Sequence, residues 1–272
     1  MKWHVFILAL AAGVAIVFPF AGCSNQPVQN STAAPLNQAA PVAITVSAAA
    51  SLTDALREVD NLFTRDYPNV TVTPNFASSG TLLTQIQNGA PVDVFISAAP
   101  IQMDNLQKGG LLIDGTRKDL LDNKVVLIVP LDSTLNISSF NDLAADKVHK
   151  VAIGDPKSVP AGTYGQQIFD ELGITAAVQP KEILGADVRQ VLTYVAGDNV
   201  DAGIVFSTDA MTSTDVKIVA SAPADINAKI VYPVAVIKAS KVPDTAKNYV
   251  NFLFGAQAKA VFEKYGFTLA SK

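Results

Sequence analysis

Strand-like and helix-like runs alternate along this chain from Val42 onward. Twice, an apolar β-branched run passes through small residues and serine directly into a helix-periodic run. The alternation restricts the chain to an α/β fold with largely parallel sheets, because parallel neighbours need a crossover between them. The first passage runs Ile44-Thr45-Val46-Ser47-Ala48-Ala49-Ala50-Ser51, with Leu52, Ala55, Leu56, Val59, Leu62 and Phe63 following at helical spacing. The second runs from Val70-Thr71-Val72 to Phe76-Ala77-Ser78-Ser79-Gly80, followed by Leu82, Leu83 and Ile86. A helix N-terminus presents unpaired N–H groups and roughly half a positive charge. Small residues let an anion approach that backbone, and serine adds a hydroxyl donor. Two such ends converging hold an oxyanion without lysine or arginine. Read singly, Ser51 with Asp54 is also an N-cap in a capping-box-like frame, the commoner role for serine there. The repetition of the pattern favours binding.

Further runs continue the alternation. Strands are expected at 92–97, 124–130, 148–154, 202–206 and 229–237, the last interrupted by Pro233. Helices are expected at 103–109, 161–172 and around Val188, Val191, Leu192 and Val195, with two more over 245–254 and 256–265. In open α/β sheets, ligands bind beyond the carboxyl ends of the strands. Both serine passages lie at such ends, as do Val159-Pro160-Ala161-Gly162 and Phe206-Ser207.

Residues 1–22 carry one lysine, then an apolar run, then small residues, which is the pattern of an export signal. The run is short for a membrane span. It ends on Ala21-Gly22-Cys23, the small-small-Cys boundary of a bacterial lipoprotein, with Phe20 where leucine is usual. Cys23 is the only cysteine, which excludes an intrachain disulfide, a Cys-rich metal site and a Cys-x-x-Cys pair. Lipidation of Cys23 would anchor the protein to the outer face of a membrane. Residues 23–41 are uncharged and lack apolar periodicity, so they read as the anchor residue and a flexible tether. The chain carries 20 Lys+Arg against 24 Asp+Glu, a net charge of −4, with no basic stripe, so nucleic acid is not an expected partner.

The ordered set Ala48-Ala49-Ala50-Ser51-Leu52, Phe76-Ala77-Ser78-Ser79, Gly89-Ala90-Pro91-Val92-Asp93-Val94-Phe95-Ile96-Ser97-Ala98, Gly154-Asp155-Pro156, Asp187-Val188-Arg189, Gly203 to Ala210, Tyr232-Pro233-Val234-Ala235 and Tyr265-Gly266-Phe267 resembles the molybdate/tungstate-binding proteins of bacterial ABC importers. The resemblance covers essentially all of Val42 to Lys272. It implies a two-lobed type II periplasmic-binding-protein fold, with two α/β lobes joined by two crossing strands. Lobe 1 would comprise 42–123 and 238–272. Lobe 2 would be 124–237, with crossings near 124–130 and 229–237. It also implies a non-enzymatic, extracytoplasmic, monomeric protein that needs no cofactor. Such a protein captures molybdate or tungstate in the cleft and delivers it to a membrane permease. Carried over by position, the ligand contacts are Ser51 and Ser79 (hydroxyl and N–H), Ala161 and Val188 (N–H), and a fifth position, usually a tyrosine hydroxyl, where this chain has Phe206.

The chemistry agrees. Every such group except Phe206 is a donor, which suits a fully deprotonated tetrahedral dianion, sulfate included, and disfavours hydrogen phosphate, whose proton needs an acceptor. A serine hydrolase is the alternative from another class. It needs a base near Ser51 or Ser79. Outside the export signal the only histidine is His149, in a polar run that reads as solvated, and no Gly-x-Ser-x-Gly elbow occurs. A structural surface lipoprotein would have no use for repeated strand-serine-helix ends. Asp93 and Asp209 read as helix or turn caps, and Arg189 as a solvated helix residue, the alternative being a charge added at the cleft rim.

Overall fold

The computed structural model describes residues 40–227 and 230–270; the export segment, Cys23 and nearly all of the expected tether lie outside the described residues. The chain begins with β1 (Val42–Ala49), α1 (Thr53–Asp66), β2 (Val70–Ala77), α2 (Ser79–Gln87), β3 (Val94–Ile96), α3 (Pro100–Lys108) and β4 (Lys118–Asp122). It continues through β5 (Val125–Pro130), β6 (Val151–Gly154), α4 (Pro160–Glu171), α5 (Thr175–Val178), β7 (Glu182–Gly185), α6 (Val188–Ala196), β8 (Ala202–Phe206), α7 (Ser207–Ala210) and β9 (Val216–Ser221). It closes with α8 (Ala224–Asn227), β10 (Val231–Val236), α9 (Pro243–Leu253), α10 (Ala256–Lys264) and β11 (Thr268–Leu269).

Two sheets organise these elements, in the strand orders β11-β4-β10-β3-β1-β2 and β7-β6-β8-β5-β9. In the first, β1 lies between β2 and β3 and runs parallel to both. In the second, β6 lies between β7 and β8, again parallel to both. In each lobe the chain thus leaves a central strand, crosses outward through a helix, and returns through a further helix to the other side of that strand. At that reversal the loops at the carboxyl ends diverge and leave a crevice. The remaining strands pair antiparallel, β10 with β3 and β4, β11 with β4, and β5 with β8 and β9. The sheets are therefore mixed rather than largely parallel. Antiparallel neighbours need no crossover helix, so the strands around the passages between lobes join the sheets without one.

The passages fall outside strands. The first is at Asn123 and Lys124, between β4 and β5; the second lies between Ser221 and Val231. The resemblance puts the crossings near 124–130 and 229–237; of the strands in those runs, β5 lies wholly in the second sheet and β10 wholly in the first. An all-apolar run marks a buried strand without marking which sheet receives it. Hydrogen bonds tie the passages together: Asn123 N–H to the Ile230 carbonyl (3.3 Å), Ala222 N–H to the Val125 carbonyl (2.9 Å) and Val125 N–H to Asn227 Oδ1 (2.9 Å).

In the first lobe, α1 buries Ala55, Leu56, Val59 and Phe63. The Phe63 ring meets Tyr249 edge-on at 5.1 Å and Phe252 at 5.3 Å, both on α9. On the sheet's other face Leu82, Ile86, Met103 and Leu106 of α2 and α3 cluster on Phe95, while its neighbours Val94 and Ile96 belong to the main core. This is the strand alternation expected of a sheet covered on both faces.

Among these apolar groups α1 buries one carboxylate, Asp60. It accepts from Tyr249 Oη at 2.6 Å. Burial is the main cause that pushes its pKa up to about 6 from 3.8, against the lowering effect of that hydrogen bond. The folded protein therefore binds this proton more tightly than the unfolded chain does. Stability falls as pH rises from about 4 to 6, and above 6 the penalty is complete. Asp60→Asn keeps an acceptor for Tyr249 and removes the charge. Chemical denaturation is expected to show a gain of about 1–3 kcal/mol at pH 8 and little change at pH 4. A loss at pH 8 would mean that the carboxylate is favourably paired.

Candidate functional site

The carboxyl ends of six parallel strands, three from each sheet, meet at one narrow gap. It is lined by Ala49, Ala50 and Ser51 after β1, Ala77 to Ser79 after β2, Ala98 after β3, Val159 and Pro160 after β6, Asp187 and Val188 after β7, and Phe206 at the end of β8. The gap is nearly closed, with a cavity volume of about 10 Å³, and has no lysine, arginine or histidine among its lining residues.

Helices α2, α4 and α6 begin at this gap, and each leaves an early N–H without a partner among the described residues. Ser78 caps α2, its Oγ accepting from Thr81 N–H at 3.3 Å, and Gly80 N–H donates across the cleft to the Ser158 carbonyl at 2.8 Å. That leaves the N–H of Ser79. In α4, Pro160 has no N–H, and Gly162 and Thr163 both donate to the Val159 carbonyl. That leaves the N–H of Ala161. Ala161 is fully buried, one residue beyond the lining Pro160. In α6, Asp187 Oδ1 accepts from Arg189 N–H at 2.8 Å and Gln190 N–H at 2.9 Å, leaving the N–H of Val188. Gly162 is needed for this geometry, since a Cβ there would overlap the Gly154 carbonyl oxygen and push the start of α4 away from β6.

The two serines take different places from the cap role. Ser51 lies in a single 3₁₀ turn, Ala50–Leu52, ahead of α1, and its side chain caps nothing. Instead its Oγ is hydrogen-bonded to Tyr232 Oη at 3.0 Å. Ser79 Oγ accepts from Ala98 N–H at 2.9 Å. Both are buried, and neither hydroxyl meets an imidazole or carboxylate among the described residues. Exposed His149 reaches Asp201 only through its backbone N–H. Phe206 offers the gap a ring and no donor; its edge contact with Tyr232 has centroids 5.6 Å apart. Ser207 does not substitute for a hydroxyl there, because its Oγ donates to Asn123 Oδ1 at 3.1 Å.

Sequence reasoning missed the group that spans the mouth. Arg189 of α6 is three-quarters buried rather than solvated. Its Nε lies 2.6 Å from Asp209 Oδ1, its Nη1 lies 2.8 Å from Asp54 Oδ2, and its Nη2 donates to the Ser51 carbonyl at 3.4 Å. Asp209 is therefore a buried counter-ion to Arg189, and it also accepts from the Phe206 backbone N–H at the start of α7, as a cap does. Desolvation is the largest cause raising its pKa, to about 7, and the Arg189 charge opposes it. Asp93 is no cap: it binds β1 through Thr45 N–H (2.7 Å) and accepts from Ser240 Oγ (2.6 Å). The signal for Arg189 was present, since Asp54 and Asp209 were the acidic residues beside two proposed contacts. Their meeting across the cleft was not.

Among the described residues no cluster of His, Cys, Asp and Glu could hold a metal ion, and no helix is long and apolar enough to cross a membrane. The sequence pattern of a family described as bacterial extracellular solute-binding protein matches residues 44–268. A Bacillus subtilis protein provisionally described as the ABC transporter substrate-binding lipoprotein YvgL is 41% identical over 98% of both chains. The molybdate-binding protein ModA of Escherichia coli is 38% identical over 83% of this chain and 89% of its own length. Among solved structures, the substrate-binding domain of a provisionally assigned molybdenum ABC transporter from Clostridium difficile superposes with a TM-score of 0.65 at 38% identity, over 85% of this chain and all of that one. The periplasmic molybdate-binding protein of Azotobacter vinelandii shares the fold, with a TM-score of 0.75 at 24% identity over 84% of this chain and all of that one. The two α/β lobes and paired crossings are those of the type II periplasmic-binding-protein fold.

The contact at Gly80 sets how closely the lobes approach. A Cβ on Gly80 would stand 2.6 Å from Ser158 Cα and 2.7 Å from its carbonyl oxygen, both backbone atoms that cannot swing aside. Gly80→Ala is therefore expected to hold the lobes apart. Solution scattering should show a larger radius of gyration, with the circular dichroism spectrum preserved. An unchanged radius would show that this contact does not limit closure.

Proposed function

The chain belongs to the bacterial extracellular solute-binding protein family, and from that premise we propose that it captures molybdate or tungstate in the interlobe gap and delivers it to the membrane permease of an ABC importer. The observation that carries this reading is the convergence at one gap of two buried serine hydroxyls and three helix starts, each with an early N–H left over. A tetrahedral oxyanion matches such a set. Each hydrogen bond to a charged acceptor contributes about 1.5–3 kcal/mol, so neutral donors are sufficient to hold a dianion. The names of the relatives supply the choice of anion: those of Haemophilus influenzae and Escherichia coli are molybdate-binding proteins.

In this reading Ser51 and Ser79 donate through hydroxyl and backbone, Ala161 and Val188 through backbone, and Phe206 contributes shape alone. The reacting base that a hydrolase needs is missing beside either serine among the described residues. Lipid attachment at Cys23 is part of the proposal. It is supported by the small-small-Cys boundary, by Cys23 being the only cysteine, and by the lipoprotein description of the Bacillus subtilis relative.

Calorimetric titration with molybdate, tungstate, sulfate and phosphate tests the reading. Molybdate and tungstate are expected to bind at one site per chain and to raise the melting temperature, by mass action on the folded state. Ser51→Ala and Ser79→Ala should each weaken molybdate binding about 10- to 100-fold. Phosphate stabilising as strongly as molybdate would refute the selective site.

Phe206 gives a separate expectation. Its ring already lines the gap, so Phe206→Tyr adds a hydroxyl where the anion sits. Molybdate affinity should rise about 10-fold, while Ser207→Ala, whose hydroxyl points to Asn123, should change it little. No gain from the tyrosine would show that the remaining donors already saturate the anion.

A further inference from the structure

Behind the gap lies a chain of buried hydrogen bonds whose direction the chemistry fixes. Asn123, at the first passage between the lobes, accepts at Oδ1 from Lys124 N–H (2.8 Å) and from Ser207 Oγ (3.1 Å). A backbone N–H can only donate, so that end of the amide is the oxygen and the other end carries the two protons. Those protons go to Thr208 Oγ1 at 2.9 Å and to Tyr232 Oη at 3.1 Å. The Tyr232 oxygen is thus an acceptor toward Asn123, and its own proton is left for its other partner, Ser51 Oγ at 3.0 Å. With its oxygen receiving that proton from behind, Ser51 has its own hydrogen free to face the gap. Ser79 reaches the same state by a different route, since its oxygen accepts from the N–H of Ala98.

Resting on the anion-binding reading above, we propose that Asn123 and Tyr232 are positioning residues that lock the Ser51 hydroxyl as a donor toward the bound anion, and so set the preference for a fully deprotonated oxyanion over one that carries a proton. A protonated anion must place its hydrogen on an acceptor. A freely turning serine hydroxyl offers its oxygen as readily as its proton, whereas one held from behind by another donor offers the proton. Tyr232 and Asn123 are well placed to do this steadily. Both are buried, and the Tyr232 ring is held edge-on by Phe206 and Phe267, with centroids at 5.6 and 5.7 Å.

Two substitutions separate this role from simple packing. Tyr232→Phe keeps the ring and its aromatic contacts and removes the oxygen, so Ser51 is released to turn. Asn123→Asp keeps the acceptor for Lys124 and Ser207 but replaces the donor end with a second acceptor. Tyr232 then donates toward residue 123, and Ser51 must donate backward to Tyr232, presenting oxygen to the anion. Each folded variant, verified by circular dichroism and melting temperature, is titrated at pH 8 with molybdate, then with sulfate and phosphate by displacement of molybdate. Sulfate and hydrogen phosphate are alike in size and charge and differ by one proton.

For Tyr232→Phe the ratio of sulfate to phosphate affinity is expected to shrink about 10-fold, with molybdate affinity falling only a few-fold. For Asn123→Asp, molybdate affinity is expected to fall about 100-fold. Sulfate and phosphate weakening equally in Tyr232→Phe, or phosphate remaining undetectable in it, overturns the proposal, as does unchanged molybdate affinity in Asn123→Asp. A parent protein that titrates with none of the anions refutes the binding reading itself. A parent that binds molybdate while both variants keep its selectivity refutes only the locked hydroxyl.

Discussion

A double negative charge with no lysine or arginine against it is held only by aligned dipoles, and the arrangement of both sheets follows from bringing enough of them to one point. In each lobe the chain leaves a central strand, returns on its other side, and opens a crevice at the carboxyl ends. Facing the two crevices toward each other places six strand ends and three helix starts around a single gap. In each helix the early N–H groups that follow are already satisfied by a cap or by backbone, so the donors at its very start remain for a ligand. The small residues Ala49, Ala50 and Ala77 let that backbone come close, and Gly162 lets α4 start against the end of β6.

The same economy of charge explains why the one arginine near the gap is kept at its rim. Arg189 is neutralised by the buried Asp209 and by Asp54 from the other lobe, and also touches the Ser51 carbonyl. It joins the lobes on the side where Ser51 sits, while Gly80 and Ser158 join them through backbone. Holding the closed form thus does not require the anion to supply all of the contact between lobes. The first passage between the lobes lies directly behind the site, since Asn123 in it reaches Ser51 through Tyr232 of β10. A change at the hinge is therefore felt at a ligand-facing hydroxyl without an intervening layer of packing.

The sequence showed that strands and helices alternate, that Ser51 and Ser79 stand at strand ends, and that Gly89, Gly109 and Gly173 end helices. These are local properties: period, β-branching and the permissive backbone of glycine act within a few residues. It gave no sign that the two lobes share a topology, because that likeness lies in strand order and not in repeated residues. It left a cap open as the other role for Ser51, since Ser51 and Asp54 have the spacing of one, while a 3₁₀ turn moves the helix start past the serine.

By itself the sequence determined the fold class, the kind of group offered to a ligand and, through ordered short motifs, the family. Only the tertiary structure decided which sheet receives Val231–Val236, that Asp209 neutralises Arg189, and that Tyr232 stands behind Ser51. The physical reason is separation along the chain. A hydrogen bond between residues 181 positions apart, or an ion pair joining α1 to α6, leaves no periodic trace in either segment; the first exists only once β10 has joined the sheet of β1, and the second only where the two lobes meet.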